Sequence, residues 1–387
     1  MAASVPLSIS GMQIGMSGLV LLALIGIPLG WGVVRRTPLD GALALFFGVC
    51  VVSTLASGQP LEARGWLRPL WLLTAYYGAF WWLRDEDHAY RVARWVVVAG
   101  AVAGAYGIWQ HFSGADWWRN ALGRATRVRP RLAGAEGFAV IGFFRNYLTF
   151  AHAMIFPLTW AGAFALRGRI TGMVAAACLT LAIVFSTARS VWIGAAGGAL
   201  LLAILAGGRR GIPLVGLGLG MAALAVAMSP GLRGQVEPLF TLGGGNAGRV
   251  AIYQANLDIV RDHPLLGVGF GRYKTGAKPY YDAHPAADRR SHAHSNVLQV
   301  AAEAGLLGLA AFCALFAIVL LRGWEAIRAS VTGAEWATTT GAWVGIVTFL
   351  LAGLAQYSFG DAEVVIGMWL ATAILMRCWD EAYGDPR

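Results

Sequence analysis

Arg189 stands in Ser186-Thr187-Ala188-Arg189-Ser190, between two apolar runs that hold almost no other polar residue. A guanidinium at such an edge has one plain use, snorkelling to the phosphates of lipid headgroups. Its forked N–H donors also match the oxygens of a bound phosphate, and that pairing is the chemistry we expect here. Arg249 falls in the first turn of a second element. From Ala247 to Asp262 the apolar residues Val250, Tyr253, Leu257 and Val260 recur at helical spacing. Asn246 suits the N-cap and His263-Pro264 ends the run. The pattern predicts an amphipathic helix lying on a membrane surface or packed over a bundle. The Arg249 side chain and the unpaired backbone N–H groups of its first turn would then face one anion together.

Other chemistry is not legible. Gly267-Val268-Gly269-Phe270-Gly271 is glycine-rich, but no Lys-Ser/Thr follows it and no strand-to-helix junction surrounds it. It reads as a flexible turn that returns the chain to the membrane surface, not as a phosphate loop. There is no HExxH, CxxC pair, GxSxG or EF-hand. Neither a metal nor another cofactor is expected. Cys50, Cys178, Cys313 and Cys378 lie inside or at the end of apolar runs and read as small buried apolar residues without a disulfide framework.

The elements that must position these arginines are membrane spans. Of the 387 residues 57% are hydrophobic and 13% charged, with a mean hydropathy of +0.60. A soluble domain carries about 25% charged residues. The deficit runs along the whole chain, which excludes a soluble globular protein and a disordered one. The first apolar run is too long for a signal-peptide core and lacks a basic leader. At about 20 apolar residues per crossing, eleven spans are expected, at 12–33, 41–57, 66–83, 92–112, 143–166, 170–188, 190–207, 211–229, 296–321, 336–356 and 362–378. The fold class is therefore all-α integral membrane, a polytopic bundle of about 11–12 transmembrane helices forming one domain over 1–387. His152 and Glu303 are the ionisable residues that fall well inside spans, and packing and inter-helix hydrogen bonding account for them.

Orientation follows from the short loops. Arg35 and Arg36, then Arg84, Arg91 and Arg94, then Arg167 and Arg169, Arg209 and Arg210, Arg322 and Arg328, and Arg377 mark every second connection. That side is assigned to the cytoplasm, which puts the N-terminus outside. Two outside loops break the bias. Residues 113–137 carry Arg119, Arg124, Arg127, Arg129 and Arg131. Residues 230–295, the large periplasmic loop, carry Arg233, Arg249, Arg261, Arg272, Lys274, Lys278, Arg289 and Arg290 with four histidines. The net charge is +10. On a membrane protein this points to anionic lipid and to a polyanionic substrate bound outside the cytoplasm, not to nucleic acid.

At this point the order of motifs resembles a known family. Ser-Thr-Ala-Arg-Ser at 186–190, Arg-Val-Ala-Ile-Tyr-Gln from Arg249, His-Pro-Leu-Leu-Gly-Val-Gly from His263 and His-Ala-His-Ser-Asn-Val-Leu-Gln from His292 are similar to the O-antigen ligase and O-antigen polymerase superfamily. The ligases carry His-[Asn/Ser/Gln], nine residues, then Gly-x-x-Gly-Thr. Here His294-Ser295 is followed by nine residues, then Gly305-Leu306-Leu307-Gly308, with Leu309 in place of Thr. Gly142-Phe143-Phe144-Arg145-Asn146 resembles the family's Gly-x-Phe-x-Asn before a span, and the resemblance runs from about 131 to 375.

The resemblance implies a C-type glycosyltransferase fold of about a dozen helices with the large periplasmic loop covering the site. It implies a glycan donor on undecaprenyl pyrophosphate, used at the outer face of the bacterial inner membrane, and a lipid A-core or other glycan acceptor. Carried over by motif, Arg189 and Arg249 bind the pyrophosphate, and His294 orients or deprotonates the acceptor hydroxyl. The positive end of the helix that begins near Asn296, and the arginines around it, disfavour an imidazolium there. Capping that helix is the blander role for His294. Arg124, Arg127, Arg129, Arg131, Arg145 and Arg272 are expected to hold the donor or an anionic acceptor. Transfer would invert the anomeric carbon. A polymerase of the same superfamily is the nearest alternative. A transporter of an anionic solute is the alternative from another class, although transporters place broken helices and paired polar groups at the midplane.

Overall fold

The computed structural model describes residues 4–384 apart from 5, 8, 27, 30–33, 59–62, 129, 131–136, 208–210, 229–246 and 288–291. Among the described residues there is no strand, only one isolated bridge between Pro130 and Phe138. The helices in chain order are α1 (Ile9–Gly26), α2 (Asp40–Ala56), α3 (Ala63–Trp82), α4 (Glu86–Ser113), α5 (Trp117–Ala121), α6 (Tyr147–Ala153), α7 (Ile155–Leu166) and α8 (Ile170–Ser186). There follow α9 (Arg189–Leu205), α10 (Gly211–Met228), α11 (Ala247–Asp262), α12 (Tyr273–Gly276), α13 (Lys278–Ala283), α14 (Asn296–Ala329), α15 (Gly333–Gly353) and α16 (Ala362–Tyr383). Each expected span overlaps a helix, the first ending at Gly26 and the fifth beginning at Tyr147 as α6 and α7 joined at Met154, with Pro157 withholding a backbone N–H from that junction. Six are long and apolar enough to cross a membrane: α4, α6 with α7, α10, α14, α15 and α16. Most of α1, and α2, α8 and α9, are shorter apolar helices. The chain is a polytopic membrane protein.

The arginine-bearing connections gather at one end of the bundle, as their alternation predicts. Arg377 donates to the carbonyls of Leu83 (3.1 Å) and Arg84 (2.8 Å). Arg35 lies 3.7 Å from Asp380, and Arg322 donates to the Pro38 carbonyl. Arg167 stacks over Trp336 at 4.1 Å and Arg322 over Trp379 at 4.4 Å. These cations use backbone carbonyls, a carboxylate and aromatic faces, the partners open to them at a membrane edge. In the middle of the bundle α16 is buried from Glu363 to Met376 and packs on α3, α14 and α15. His152 is buried, with Nδ1 2.8 Å from the Leu148 carbonyl, a packing histidine. All four cysteines are free, and Cys313 points outward where burial was expected.

The opposite end is built around an interruption. In α14 Gly305 sits at φ 66, ψ −169, which breaks the hydrogen-bond ladder. The segment after α11 repairs it. Val268 N–H donates to the Ala302 carbonyl (2.9 Å) and Gly269 N–H to that of Glu303 (3.0 Å). In return Leu306 N–H donates to the Pro264 carbonyl (2.8 Å) and Leu307 N–H to that of Leu265 (3.3 Å). Ser53 of α2 seals the joint, donating to the Leu266 and Glu303 carbonyls (2.6 and 2.8 Å) and accepting from Phe270 N–H (3.1 Å). Gly267–Gly271 is therefore a docked splice and not the flexible turn expected from its glycines. The glycines are there for space: a Cβ on Gly267 would strike the Glu303 backbone, and one on Gly305 the Leu265 carbonyl.

Counting about 20 residues up from Arg322 for a crossing of about 30 Å brings α14 to Ala302, so the break lies at the membrane edge. Glu303, expected well inside a span, belongs to that edge. Its carboxylate accepts from Gln299 Nε2 (3.0 Å) and from the backbone N–H groups of Gly271 and Tyr273, so it clamps the splice to the helix.

Helix α11 spans Ala247–Asp262 as its periodicity predicts, and it packs over α14. Its buried face is Ala251, Ile252, Ala255 and Ile259, not the expected Val250–Leu257 stripe, and Val250 and Leu257 are exposed. The winning face carries Asn256, whose amide oxygen is satisfied by the Tyr273 hydroxyl at 2.9 Å. Two stripes at helical spacing compete in this segment, and polar partners decide between them.

Gly305→Ala should lower the midpoint of thermal unfolding in detergent, at a cost of about 3 kcal/mol or more from a glycine-only conformation plus overlap. Gly48→Ala in α2, where a Cβ meets nothing within 4 Å, should leave the midpoint nearly unchanged. Equal midpoints for the two variants would remove the structural role given to the splice.

Candidate functional site

The splice delivers His294 to the start of α14. Ser295 caps that helix, its hydroxyl accepting from Leu298 N–H at 3.3 Å. His294 itself adopts a left-handed φ of 53°, which costs a non-glycine residue about 1–2 kcal/mol. The neighbours that hold it there are specific. Ala293 N–H donates to Gln299 Oε1 (2.8 Å), and the same Gln299 side chain reaches Glu303. Tyr253 Oη lies 3.5 Å from the His294 carbonyl oxygen. Asn296 holds the loop after α15, accepting from Ser358 N–H (2.8 Å) and donating to the Ser358 hydroxyl (3.1 Å). That loop places Gln356 Oε1 3.2 Å from His294 Nδ1, with both side chains buried. The capping role weighed for His294 thus belongs to Ser295.

Arg249 is brought to the same place. It lies one turn from Tyr253 on α11, half-buried, and residues four apart share a helix face. Burial pushes the Tyr253 phenol up, and the nearby Arg249 guanidinium works against that rise. Arg189 opens α9, whose Gly194 packs against Thr348 and Ala352 of α15. One turn further up, Arg189 is level with the end of α15 and the loop that carries Gln356. Neither Arg189 nor Arg249 has a hydrogen-bond or ion-pair partner among the described residues. Below Arg189, Trp192 lines an apolar cavity of about 680 Å³ between α7, α8, α9 and α10.

The other expected arginines are more scattered. Arg145 is exposed beside Asn146, the N-cap of α6, where Thr149 donates to Asp361 at 3.0 Å. Burial pushes the Asp361 carboxyl up to about 6 against the pull of that hydroxyl. Arg124 and Arg127 are exposed on a separate lobe folded around buried Asp116, which accepts from the Tyr106 hydroxyl at 3.0 Å. Arg272 belongs to the splice, where its Cγ is a close neighbour of Gly269. Arg129 and Arg131 lie outside the described residues, as do Asn246 and Asp288. Among the described residues no group of three His, Cys, Asp or Glu side chains could hold a metal ion.

Residues 174–313 match the family model described as O-antigen ligase. That segment is similar to the O-antigen ligase family. The match takes in Arg189, Arg249, His294, Gly305 and Gly308, and it supports the O-antigen ligase superfamily, which includes the polymerase-type members. No curated protein matched the chain. The matched segment is shorter than the 131–375 expected by resemblance, so Gly142–Asn146 falls outside it. Two residues beyond the matched segment also join the candidate site and were missed in the sequence. Gln356 is buried against His294. Arg68 donates to the Gly360 carbonyl and acts electrostatically on Tyr357 and Asp361. A single Gln at the end of an apolar run carries no pattern, and Arg68 reads as one more span-edge arginine.

Proposed function

We propose that the protein is an inverting glycosyltransferase of the O-antigen ligase type. It would move a glycan from undecaprenyl pyrophosphate to a lipid A-core acceptor at the periplasmic face of the bacterial inner membrane. The observation that carries this reading is His294, buried at the start of α14 with Tyr253 on its carbonyl and Arg249 one turn behind that tyrosine, inside the segment that matches the O-antigen ligase model. Arg249 and Arg189 bind the pyrophosphate and stabilise the charge that develops as it leaves. His294 takes the proton of the attacking hydroxyl. Attack opposite the pyrophosphate inverts the anomeric carbon. The apolar cavity below Arg189 suits the first isoprene units of a lipid carrier, since it lies under an anion-binding side chain and is within the size range of ligand pockets, about 300–1,000 Å³. Exposed Arg124, Arg127 and Arg145 are left to meet the glycan or an anionic acceptor.

A polymerase that extends the glycan itself is the second reading, and Leu309 in place of the ligase Thr favours it. Deletion in the native host separates the two on a lipopolysaccharide gel. Loss of the whole ladder marks a ligase and one-repeat products mark a polymerase.

Arg249→Ala should abolish transfer with the protein still inserted. Arg249→Lys should recover little, because an ammonium lacks the fork. Wild-type transfer by the alanine variant would remove Arg249 from the site. His294→Ala should lose transfer by about 100-fold or more with donor binding retained. His292 touches His294, its ring centre 4.4 Å away, but its one described bond to it is long, 3.4 Å from Nδ1 to the His294 N–H. His292→Ala should therefore lose no more than about tenfold. The reverse order in a purified transfer assay would move the base to His292. Because two guanidinium groups neutralise the pyrophosphate, transfer should persist in excess EDTA. Activity lost to EDTA and restored by magnesium or manganese would redirect attention to Asp282 and Asp288.

A further inference from the structure

We propose that Gln356 is a positioning residue that fixes the tautomer of His294 and so makes Nε2 the nitrogen that accepts the hydroxyl proton. The inference rests on the glycosyltransferase reading and extends it to a residue outside the matched segment.

The geometry is local and buried. Gln356 Oε1 lies 3.2 Å from His294 Nδ1, while Gln356 Nε2 points to the Tyr357 carbonyl at 3.5 Å. With the amide oxygen turned to the ring, Nδ1 must carry the proton and donate it, which puts the lone pair on Nε2. The loop that carries Gln356 is fixed from the histidine's own helix. Asn296 accepts from the N–H groups of Ser358 and Phe359 (2.8 and 3.4 Å), so Gln356 and His294 cannot move apart without breaking those bonds. Such an arrangement, a base oriented by a third group, is the general form of base activation.

A neutral amide has a further consequence. A carboxylate at this position would orient the ring equally well, but it would also stabilise the imidazolium and keep the base protonated. Gln356 orients without adding charge. The groups around His294 are already mixed: His292 at the ring edge, Tyr253 on the backbone carbonyl with Arg249 behind it on α11, and Tyr357 beside Gln356. Glu303, Arg68 and Asp361 act on Tyr357 from beyond, and Gln299 Nε2 donates to the Glu303 carboxylate.

In the step this serves, the acceptor hydroxyl oxygen bonds to the anomeric carbon. The bond from that carbon to the pyrophosphate oxygen breaks, and the electron pair leaves with the pyrophosphate. The hydroxyl proton passes to Nε2 and gives an imidazolium whose Nδ1–H still donates to Gln356.

The test uses the full chain in nanodiscs with an undecaprenyl-pyrophosphate-linked glycan. Gln356→Leu should lower kcat at least about tenfold and leave donor Kd within about threefold. Gln356→Glu keeps the acceptor oxygen and adds a charge. It should move the ascending limb of kcat/KM against pH upward by about one unit, a shift that a merely structural role would not produce. A wild-type pH profile for Gln356→Glu, or wild-type kcat for Gln356→Leu, would overturn the proposal. If either variant fails to fold, 15N-histidine spectra of the unaltered protein decide. The signal absent from His294→Ala should show a lone pair at Nε2, and a lone pair at Nδ1 would overturn the assignment. Full activity in His294→Ala would instead overturn the base reading, with the tautomer still measured by the spectra.

Discussion

The site end of this molecule depends on one exchange of backbone hydrogen bonds. Gly305 interrupts α14, and an interrupted helix at a membrane edge must satisfy its carbonyls and amides elsewhere. The Pro264–Gly269 segment satisfies them in both directions, giving N–H groups to Ala302 and Glu303 and taking them from Leu306 and Leu307. Ser53 and the Glu303 carboxylate complete the joint from α2 and from α14 itself. A loop that would otherwise be tethered only by its ends is thereby made part of the helix it covers.

The arrangement of the candidate site follows from that joint. Gln299, one turn above Glu303, reaches back to the Ala293 amide and holds the turn in which His294 takes its left-handed conformation. α11, which leads into the splice, lays Tyr253 on the His294 carbonyl and brings Arg249 with it. Asn296, two residues past His294, anchors the Ser358 loop. The nine residues between His294-Ser295 and Gly305 are the length of helix that separates His294 from the joint. The spacing in the family pattern therefore has a mechanical meaning. The same placement bears on the transporter alternative, because the break lies at the membrane edge and not at the midplane, where transporters bind their cargo.

Much of this was legible in the sequence, and for identifiable reasons. Span placement rests on apolar runs that nothing else explains, and all eleven became helices. The bounds of α11 matched because Pro264 leaves no choice at its end. Its buried face did not match. Ile252, Ala255 and Ile259 recur as regularly as Val250, Tyr253 and Leu257, and only the partner at Asn256, a tyrosine seventeen residues on, decides between them. Gly267–Gly271 looked flexible because glycine reports permissiveness, and close approach of a second backbone leaves the same mark. Gln356 and Arg68 were missed because their roles exist only across long separations. Gln356 meets a histidine 62 residues earlier, and Arg68 meets a carbonyl 292 residues later.

The central claim is that this end of the bundle performs displacement at an anomeric carbon with a lipid pyrophosphate as leaving group. The anomeric configuration of the product tests it most directly. Purified protein should be supplied with an undecaprenyl-pyrophosphate glycan of defined configuration and a lipid A-core acceptor, and the new linkage read by NMR. An α-linked donor should give a β-linked product, with free undecaprenyl pyrophosphate released in equal amount. A product of retained configuration, or no transfer together with uptake of an anionic solute into liposomes, would contradict it.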